Sequence, residues 1–165
     1  MSVRRLLVLS SLVIGVAALS PAATLGAENG TDRPLRGAVS ATTTVNVATG
    51  AVTENASGEL SHLGAVTIHV DGRSSRTGNS IAGSGTSTLT AANGDQLFAT
   101  FTSTGTFTSR TTIELTFVVT IISGTGRFAD ASGMFTVSDS SVVVSIVGPN
   151  VTTQDSGTLE GQISY

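Results

Sequence analysis

Apolar and polar residues alternate along most of the chain beyond residue 36. The clearest run places apolar side chains at every second position: Ile113, Leu115, Phe117, Val119 and Ile121. A period of two residues is typical of a β-strand with one buried face. Beyond the first 27 residues, no stretch of ten or more residues repeats its apolar positions with the period of a helix. The sequence therefore predicts an all-β domain.

Glycine clusters divide the alternating stretches into segments of strand length. Seven of these segments are predicted directly as strands, and an eighth strand is expected either from 49–60 or from a division of 133–147. Short strands at this spacing are typical of an antiparallel barrel or sandwich. The last segment runs to Tyr165, which favours a single eight-stranded antiparallel β-barrel over an adhesin-like β-sandwich. The seven strands predicted directly lie near 36–48, 61–71, 80–92, 95–108, 111–123, 133–147 and 157–165.

The segment around Asn93-Gly94 predicts a hairpin with a definite register. Apolar residues occupy odd positions on both sides, so a two-residue turn would put them on opposite faces. A three-residue loop over 92–94 instead places Leu89 opposite Leu97 and puts Gly94 in the left-handed conformation. Phe98 then lies on the outer face, where it suits contact with a second copy of the chain. The alternation predicts one shared apolar interior for Leu97, Phe101, Leu115, Phe117, Val119 and Ile163.

The first residues read as a targeting segment. Arg4 and Arg5 precede an apolar run of about 14 residues, and small residues follow it. This run is shorter than the ~20 residues that span a bilayer as a helix, so a retained membrane anchor is the weaker alternative. We predict a signal peptide over 1–27, a linker over 28–35 and a barrel domain over 36–165. Cleavage is expected after Ala27, or else after Ala22, which gives a secreted, extracellular protein with no membrane span.

Composition narrows the chemistry that this domain can carry. The chain has 26 Thr, 22 Ser, no Lys and no Cys, and its formal net charge is −3. Without Cys it has neither disulfides nor thiolate metal sites, and its two separated histidines form no metal motif. Arg is the only strong cation, so a nucleic-acid-binding face is not expected. We therefore expect no metal, no cofactor and no nucleic-acid partner.

The segment 122–135, Ile-Ser-Gly-Thr-Gly-Arg-Phe-Ala-Asp-Ala-Ser-Gly-Met-Phe, resembles a known family. It is similar to the strand, glycine turn and strand of allene oxide cyclase-like and dirigent-like barrels. Segments 62–64, 91–98 and 157–165 look like parts of secreted bacterial proteins of unknown function with this barrel. The resemblance covers about half of the mature chain. It implies an eight-stranded barrel whose lumen holds an apolar ligand, but it carries no active site, because the lumen carboxylates of those families cannot be matched here.

The same segment carries a local structural expectation. Phe128 and Ala131 are three residues apart, so a single helical turn would press both onto a mouth of the barrel. Arg127 and Asp130 have the spacing to pair across that turn. Such an exposed pair contributes only ~0–1 kcal/mol and gives no indication of function.

Four residues are candidates for ligand binding: His62, Phe101, Phe117 and Asp139. By parity, His62 shares the face of Val66 and would point into the lumen, either as an acid or base or as a hydrogen-bonded structural residue. His69 falls on the opposite, solvated face. Asp139 shares parity with its apolar neighbours and enters the lumen if the strand continues; otherwise 138–141 form a bulge or loop. No catalytic set can be assigned.

These patterns favour a secreted barrel that binds a small apolar ligand in its lumen or serves as a stable extracellular module. A lumen isomerase or cyclase resembling allene oxide cyclase is the competing class. It would need at least one lumen carboxylate or histidine in a strongly perturbed environment. The titratable residues are few and sit mostly in turns, so the sequence leans away from an enzyme.

Overall fold

The computed structural model describes residues 31–165. It is all-β, as predicted, with a single short 3₁₀ helix, η1, over Gly126–Phe128. The signal peptide expected over 1–27 lies outside the described residues. The strands are β1 Arg33–Asn46, β2 Ala51–Leu60, β3 Gly64–Thr77, β4 Ser80–Ala91, β5 Gln96–Phe107, β6 Thr112–Gly124, β7 Ser132–Val147 and β8 Asn150–Ser164.

The eight strands form a closed antiparallel barrel. Each strand pairs with the next one along the chain, and β1 also pairs with β8 from Arg33 opposite Ile163 to Asn46 opposite Asn150. Closure satisfies the backbone N–H and C=O groups of both terminal strands, which would otherwise form sheet edges. The prediction of a closed eight-stranded barrel is confirmed, and the sandwich alternative is wrong.

Several strand limits differ from those expected. The eighth strand is β2, within 49–60, whereas β7 runs without division through 132–147. β8 begins at Asn150 instead of 157, and β3 begins at Gly64 instead of 61. β1 begins at Arg33, so residues 33–35, which were assigned to the linker, belong to the barrel. Polar residues conceal the alternation at the start of β8, whereas the expected start of β3 fell within the preceding turn.

The hairpin between β4 and β5 has the predicted register. Leu89 lies opposite Leu97, and Gly94 has a φ of 88°, the left-handed conformation that a residue without Cβ adopts readily. Phe98 points outward, as expected. Of the six residues predicted to share the interior, four belong to the buried core, and Phe117 packs against it. Leu115 points inward but lies outside that cluster.

One end of the barrel is filled by apolar side chains, and we call it the plugged end. It contains the turn over 61–63, the turn over 92–95, and η1. Phe128 and Ala131 are buried there, which confirms that the helical turn presses both onto the barrel mouth. The ring of Phe128 meets Tyr165 edge-on, with centroids 4.8 Å apart. The largest side chains with almost no exposure are Leu35, Leu89, Leu97, Phe128, Leu159 and Ile163.

Arg127 does not pair with Asp130, so that expectation is wrong. Its guanidinium instead reaches Asp95 in the β4–β5 turn, with Nε 4.0 Å from Oδ2. The backbone N–H of Arg127 also donates to Asp95 Oδ2, at 3.2 Å. Arg127 contacts Asp95 and not Asp130 because η1 is a single turn that packs over the β4–β5 loop.

Candidate functional site

Three carboxylates point into the barrel beyond the plugged end: Glu54 on β2, Asp139 on β7 and Asp155 on β8. We call them the lumen carboxylates. Their side chains share parity with buried or inward residues of the same strands, so the pleat directs them inside. Because β7, β8, β1 and β2 are consecutive around the closed barrel, the register brings these strands together along one wall. Thr43 on β1 stands between them, opposite Glu54.

Thr43 links two of the lumen carboxylates. Its Oγ1 lies 2.6 Å from Asp155 Oδ2 and 3.1 Å from Glu54 Oε2. A hydroxyl has one proton and two acceptor sites. The Thr43 hydroxyl can therefore donate to only one of the two carboxylates at a time, Asp155 at the shorter distance or Glu54 at the longer one.

The environment of Glu54 favours its protonated form. Burial raises the pKa of Glu54 from 4.5 to about 7, and the nearby charges of Asp155 and Asp139 act in the same direction. The hydrogen bond with Thr43 lowers the pKa but does not offset burial. Close to neutral pH, Glu54 therefore exchanges a proton readily, as a general acid or base must.

Asp139 has a related but weaker perturbation. Burial raises its pKa to about 6, and the charge of Asp155 adds to this effect. The hydroxyl of Ser141 donates to Asp139 Oδ2 at 3.0 Å and lowers the pKa. Glu114, on the outer face of β6, raises it through the barrel wall. The predicted strand alternative for Asp139 is therefore correct, because β7 continues through 138–141 and directs the carboxylate inward.

Asp155 is the most buried of the three. Its side chain is only 7% exposed, and Oδ1 is buried without a hydrogen-bond partner, whereas Oδ2 receives Thr43. Leaving a buried acceptor unsatisfied costs roughly 1–3 kcal/mol, and more when the group is charged. Such an atom within a cluster of acidic groups is a candidate contact for a bound donor.

A cavity of about 60 Å³ lies between the lumen carboxylates and the plugged end. Glu54 and Asp139 border it on one side, and Phe101 and Phe117 border it on the other. The two rings are tilted by 57°, with centroids 5.8 Å apart. The Phe101 ring lies against the inner face of Gly85, where a Cβ would come within 2.9 Å of Cε1. The glycine thus makes room for the aromatic wall of the cavity.

A larger hollow, of about 760 Å³, lies on the outer surface across β3 to β8. Most of its walls are outward-facing hydroxyl side chains, such as Thr104, Thr116 and Ser138, which the register places in one row. Glu114 is its exposed carboxylate. Asp139 is the described residue that borders both this hollow and the interior cavity. The hollow offers hydrogen bonds from these hydroxyls as well as apolar surface from Ile81, Ala82 and Leu115.

The structure brings together three of the four candidates from the sequence. Phe101, Phe117 and Asp139 line the same cavity. The lumen position expected for His62 is wrong. His62 lies exposed in the 61–63 turn with a φ of 67°, and its carbonyl oxygen accepts a hydrogen bond from Arg127 Nη2 at 3.1 Å. Parity fails at His62 because β3 begins two residues later. His69 is exposed, as expected, and contacts Asn55 and Asp71.

Sequence reasoning missed Glu54 and Asp155 as lumen residues. Glu54 alternates with Val52, Ala56 and Leu60, so the parity of β2 indicates an inward side chain. Asp155 has the parity of Leu159, but it falls before 157, where the last strand was expected to start. Extending both strands by alternation would have found these two residues.

Within residues 31–165, no group of three His, Asp or Glu side chains is close enough together to hold a metal ion. No helix in this part of the chain is long and apolar enough to cross a membrane. Comparison with protein-family models, curated proteins and solved structures finds no match. The function must therefore be argued from the cavity and the lumen carboxylates.

Proposed function

We propose that this protein is a secreted barrel that binds a small ligand inside its lumen. The ligand places an apolar part against Phe101 and Phe117 and a polar part at the lumen carboxylates. One observation carries the proposal: a single interior cavity is bordered by an aromatic pair on one side and by Glu54 and Asp139 on the other. Ligand sites are typically apolar hollows with a few converging polar groups.

Two features of the sequence support the proposal, the first for secretion and the second for lumen binding. Residues 1–27 have the basic start, the apolar run and the small residues of a secretory signal. The segment 122–135 resembles barrels of the allene oxide cyclase-like and dirigent-like families, whose lumens hold ligands. The polar wall formed by Glu54, Asp139 and Asp155 makes a purely apolar ligand less suitable here than an amphiphilic one.

Filling the cavity tests lumen binding. Ala56 is buried and lines the cavity, so Ala56→Leu should place a larger side chain in the ligand's space. Ala65→Leu, on the exposed face of β3, is the matched control. We expect small fragments detected by NMR to shift the ring resonances of Phe101 and Phe117 in wild-type protein and in the control. Ala56→Leu should abolish these shifts.

The result also separates binding from a purely structural role. If no fragment of any charge shifts the Phe101 and Phe117 resonances, lumen binding is refuted, and the stable extracellular module becomes the better description. Shifts that persist unchanged in a folded Ala56→Leu protein would likewise refute binding at this cavity.

The raised pKa of Glu54 favours a second candidate function, proton transfer on a bound carbonyl compound in an isomerase. A base with a pKa near the working pH is suited to remove a proton next to a carbonyl. The test is deuterium exchange of acetone in D₂O, followed by NMR. Glu54→Gln should lose any exchange above the buffer rate, and Glu59→Gln, which alters an exposed carboxylate of the same strand, should retain it. Exchange at the buffer rate in wild-type protein would refute catalysis of this kind.

A further inference from the structure

The lumen carboxylates lack the hydrogen-bond donors that their oxygens require. The side-chain donors that reach them are the hydroxyls of Thr43 and Ser141, with one proton each. Asp155 Oδ1 is buried and receives nothing. Thr43 has one proton for two of these carboxylates, so the barrel wall leaves its buried acidic group short of donors at Asp155.

No cationic side chain of the described barrel wall balances this acidic group. Between Gly37 and Ile163, the inward-facing residues of the central barrel are glycines, apolar residues, hydroxyl residues and the three acids. Arg76 has inward parity at the far end of β3, but it is exposed and stacks on Phe107, 4.0 Å from the ring centroid. The ion pairs of the described residues, His69–Asp71 and Arg127–Asp95, lie outside the lumen.

We propose that the lumen binds a small primary alkylammonium ion, whose N–H groups contact Glu54 and Asp139 where these carboxylates border the cavity and whose carbon chain faces Phe101 and Phe117. This inference rests on the proposed lumen binding and names the ligand class. An ammonium group provides three hydrogen-bond donors and a positive charge. The site lacks both donors and a cationic side chain. Aromatic faces next to a cation add a further attraction.

The size of the cavity limits the carbon chain. A dry protein cavity of about 150 Å³ accepts benzene, and the cavity here has about 60 Å³. The ligand is therefore restricted to a few non-hydrogen atoms, as in ethylammonium. A bare metal ion fits less well, because no three acidic or imidazole side chains of the described residues are close enough together to coordinate one.

Binding should tighten as pH rises, because an alkylammonium ion stays protonated while the carboxylates lose protons. Burial holds the pKa values of Glu54 and Asp139 at about 7 and 6, so both ionise between pH 5.5 and 8. The neighbouring strands add the charge of Asp155 on β8 and that of Glu114 on the outer face of β6. Around the cavity the other inward polar groups are uncharged hydroxyls: Thr43, Ser87, Ser103, Ser141 and Thr153.

The test is an NMR titration of the full chain with ethylammonium chloride at pH 8 and at pH 5.5. Ethanol serves as a neutral analogue of the same size, and NaCl controls for ionic strength. We expect saturable shifts of the Phe101 and Phe117 resonances with ethylammonium alone, and weaker binding at pH 5.5. Glu54→Gln should weaken binding on the order of tenfold or more, since it removes one partner of a desolvated charge contact. Glu59→Gln should have no effect.

The outcomes separate this inference from lumen binding itself. If ethanol and ethylammonium shift the ring resonances equally, and Ala56→Leu blocks both, lumen binding stands and the cationic ligand is refuted. If neither compound binds and other fragments also fail, both proposals are refuted. Asp139→Asn should weaken ethylammonium binding as Glu54→Gln does. Should Asp139→Asn not fold, equal wild-type affinities at the two pH values would still overturn the inference.

Discussion

The carboxyl group of Glu54 keeps its proton at pH values where an exposed glutamate has lost it. Burial is the main cause, and the charges of Asp155 and Asp139 reinforce it. Folding therefore binds a proton to this side chain over part of the pH range, and the stability of the barrel must depend on pH.

We expect the free energy of unfolding to fall as pH rises from about 4.5 to beyond 7. The folded pKa of Glu54 lies above its ordinary value, so its favourable contribution is complete at low pH and is lost through the folded pKa. The full difference is on the order of 3 kcal/mol. Urea unfolding at pH 5 and pH 8 measures it. Glu54→Gln should reduce the difference to the smaller part that Asp139 contributes, Glu59→Gln should preserve it, and an unchanged slope in Glu54→Gln would contradict the assignment.

Thr43 provides a second prediction at the level of single residues. Thr43→Val keeps the shape of the side chain but removes the hydroxyl that contacts Asp155 and Glu54. We expect a loss of about 1–3 kcal/mol, since both oxygens of Asp155 would then be unsatisfied. The loss should be greater at pH 8 than at pH 5, because more carboxylates are then ionised. Thr42→Val, on the exposed face of the same strand, is the control for thermal unfolding; equal losses in the two variants would argue against the Thr43 contacts.

Among the elements, η1 and the strands around the cavity use aromatic side chains differently. Phe128 in η1 has no exposed surface and packs against Tyr165. Phe117 on β6 is half-buried, because one side of its ring borders the cavity. A ring next to empty space loses less packing when it is removed.

We therefore predict that Phe128→Ala costs about 3–5 kcal/mol and that Phe117→Ala costs clearly less. Chemical unfolding of the two variants at one pH provides the comparison. If Phe117→Ala proved as destabilising as Phe128→Ala, the space beside Phe117 would have to be packed, and the cavity argument would fail.

Strands with strong alternation were predictable from the sequence, but the residues at which strands end and turns begin were not. The β4–β5 hairpin follows from parity and the turn residues together, because a three-residue loop over 92–94 puts Leu89 and Leu97 on one face whereas a two-residue turn does not. β2 was uncertain because Gly58 and Glu54 interrupt its apolar face. His62 was misplaced because periodicity does not show where a strand stops and a turn with positive φ begins.

The lumen carboxylates show why the site was harder to predict than the fold. The hydrogen bond between Thr43 and Asp155 joins residues 112 positions apart. That contact depends on the register between β1 and β8, which closure of the whole barrel determines and no local pattern encodes. Phe101 and Phe117 were found because both lie in strands with unbroken alternation on the inner face.

At the scale of the whole molecule, closure brings the two ends of the described barrel together. Arg33 lies opposite Ile163, and its Nη1 donates to the hydroxyl of Tyr165 at 3.3 Å. The other seven pairings join strands adjacent in sequence. The chain could therefore be joined at these ends and opened at another turn without losing a pairing.

We expect a circular permutant that links 165 to 33 and opens within the exposed 108–111 turn to keep cooperative unfolding. Its thermal midpoint should lie within several degrees of that of residues 31–165. Removing 158–165 should abolish the cooperative transition, because it removes the β1–β8 pairing at the plugged end and uncovers Leu35 in the core. Differential scanning calorimetry tests both. A truncated protein that still melted cooperatively would show that closure contributes little.

The β1–β8 seam also determines how this protein would aggregate. Strands that are consecutive in sequence pair across short loops, but the seam joins segments more than 100 residues apart. Its pairing therefore has the largest loop-closure entropy cost of the eight. A chain caught before that step exposes two long, complementary edges. The β8 edge of one molecule then fits the β1 edge of another in the native register. At high concentration during refolding, strand-exchanged dimers and open chains of barrels should therefore compete with the monomer.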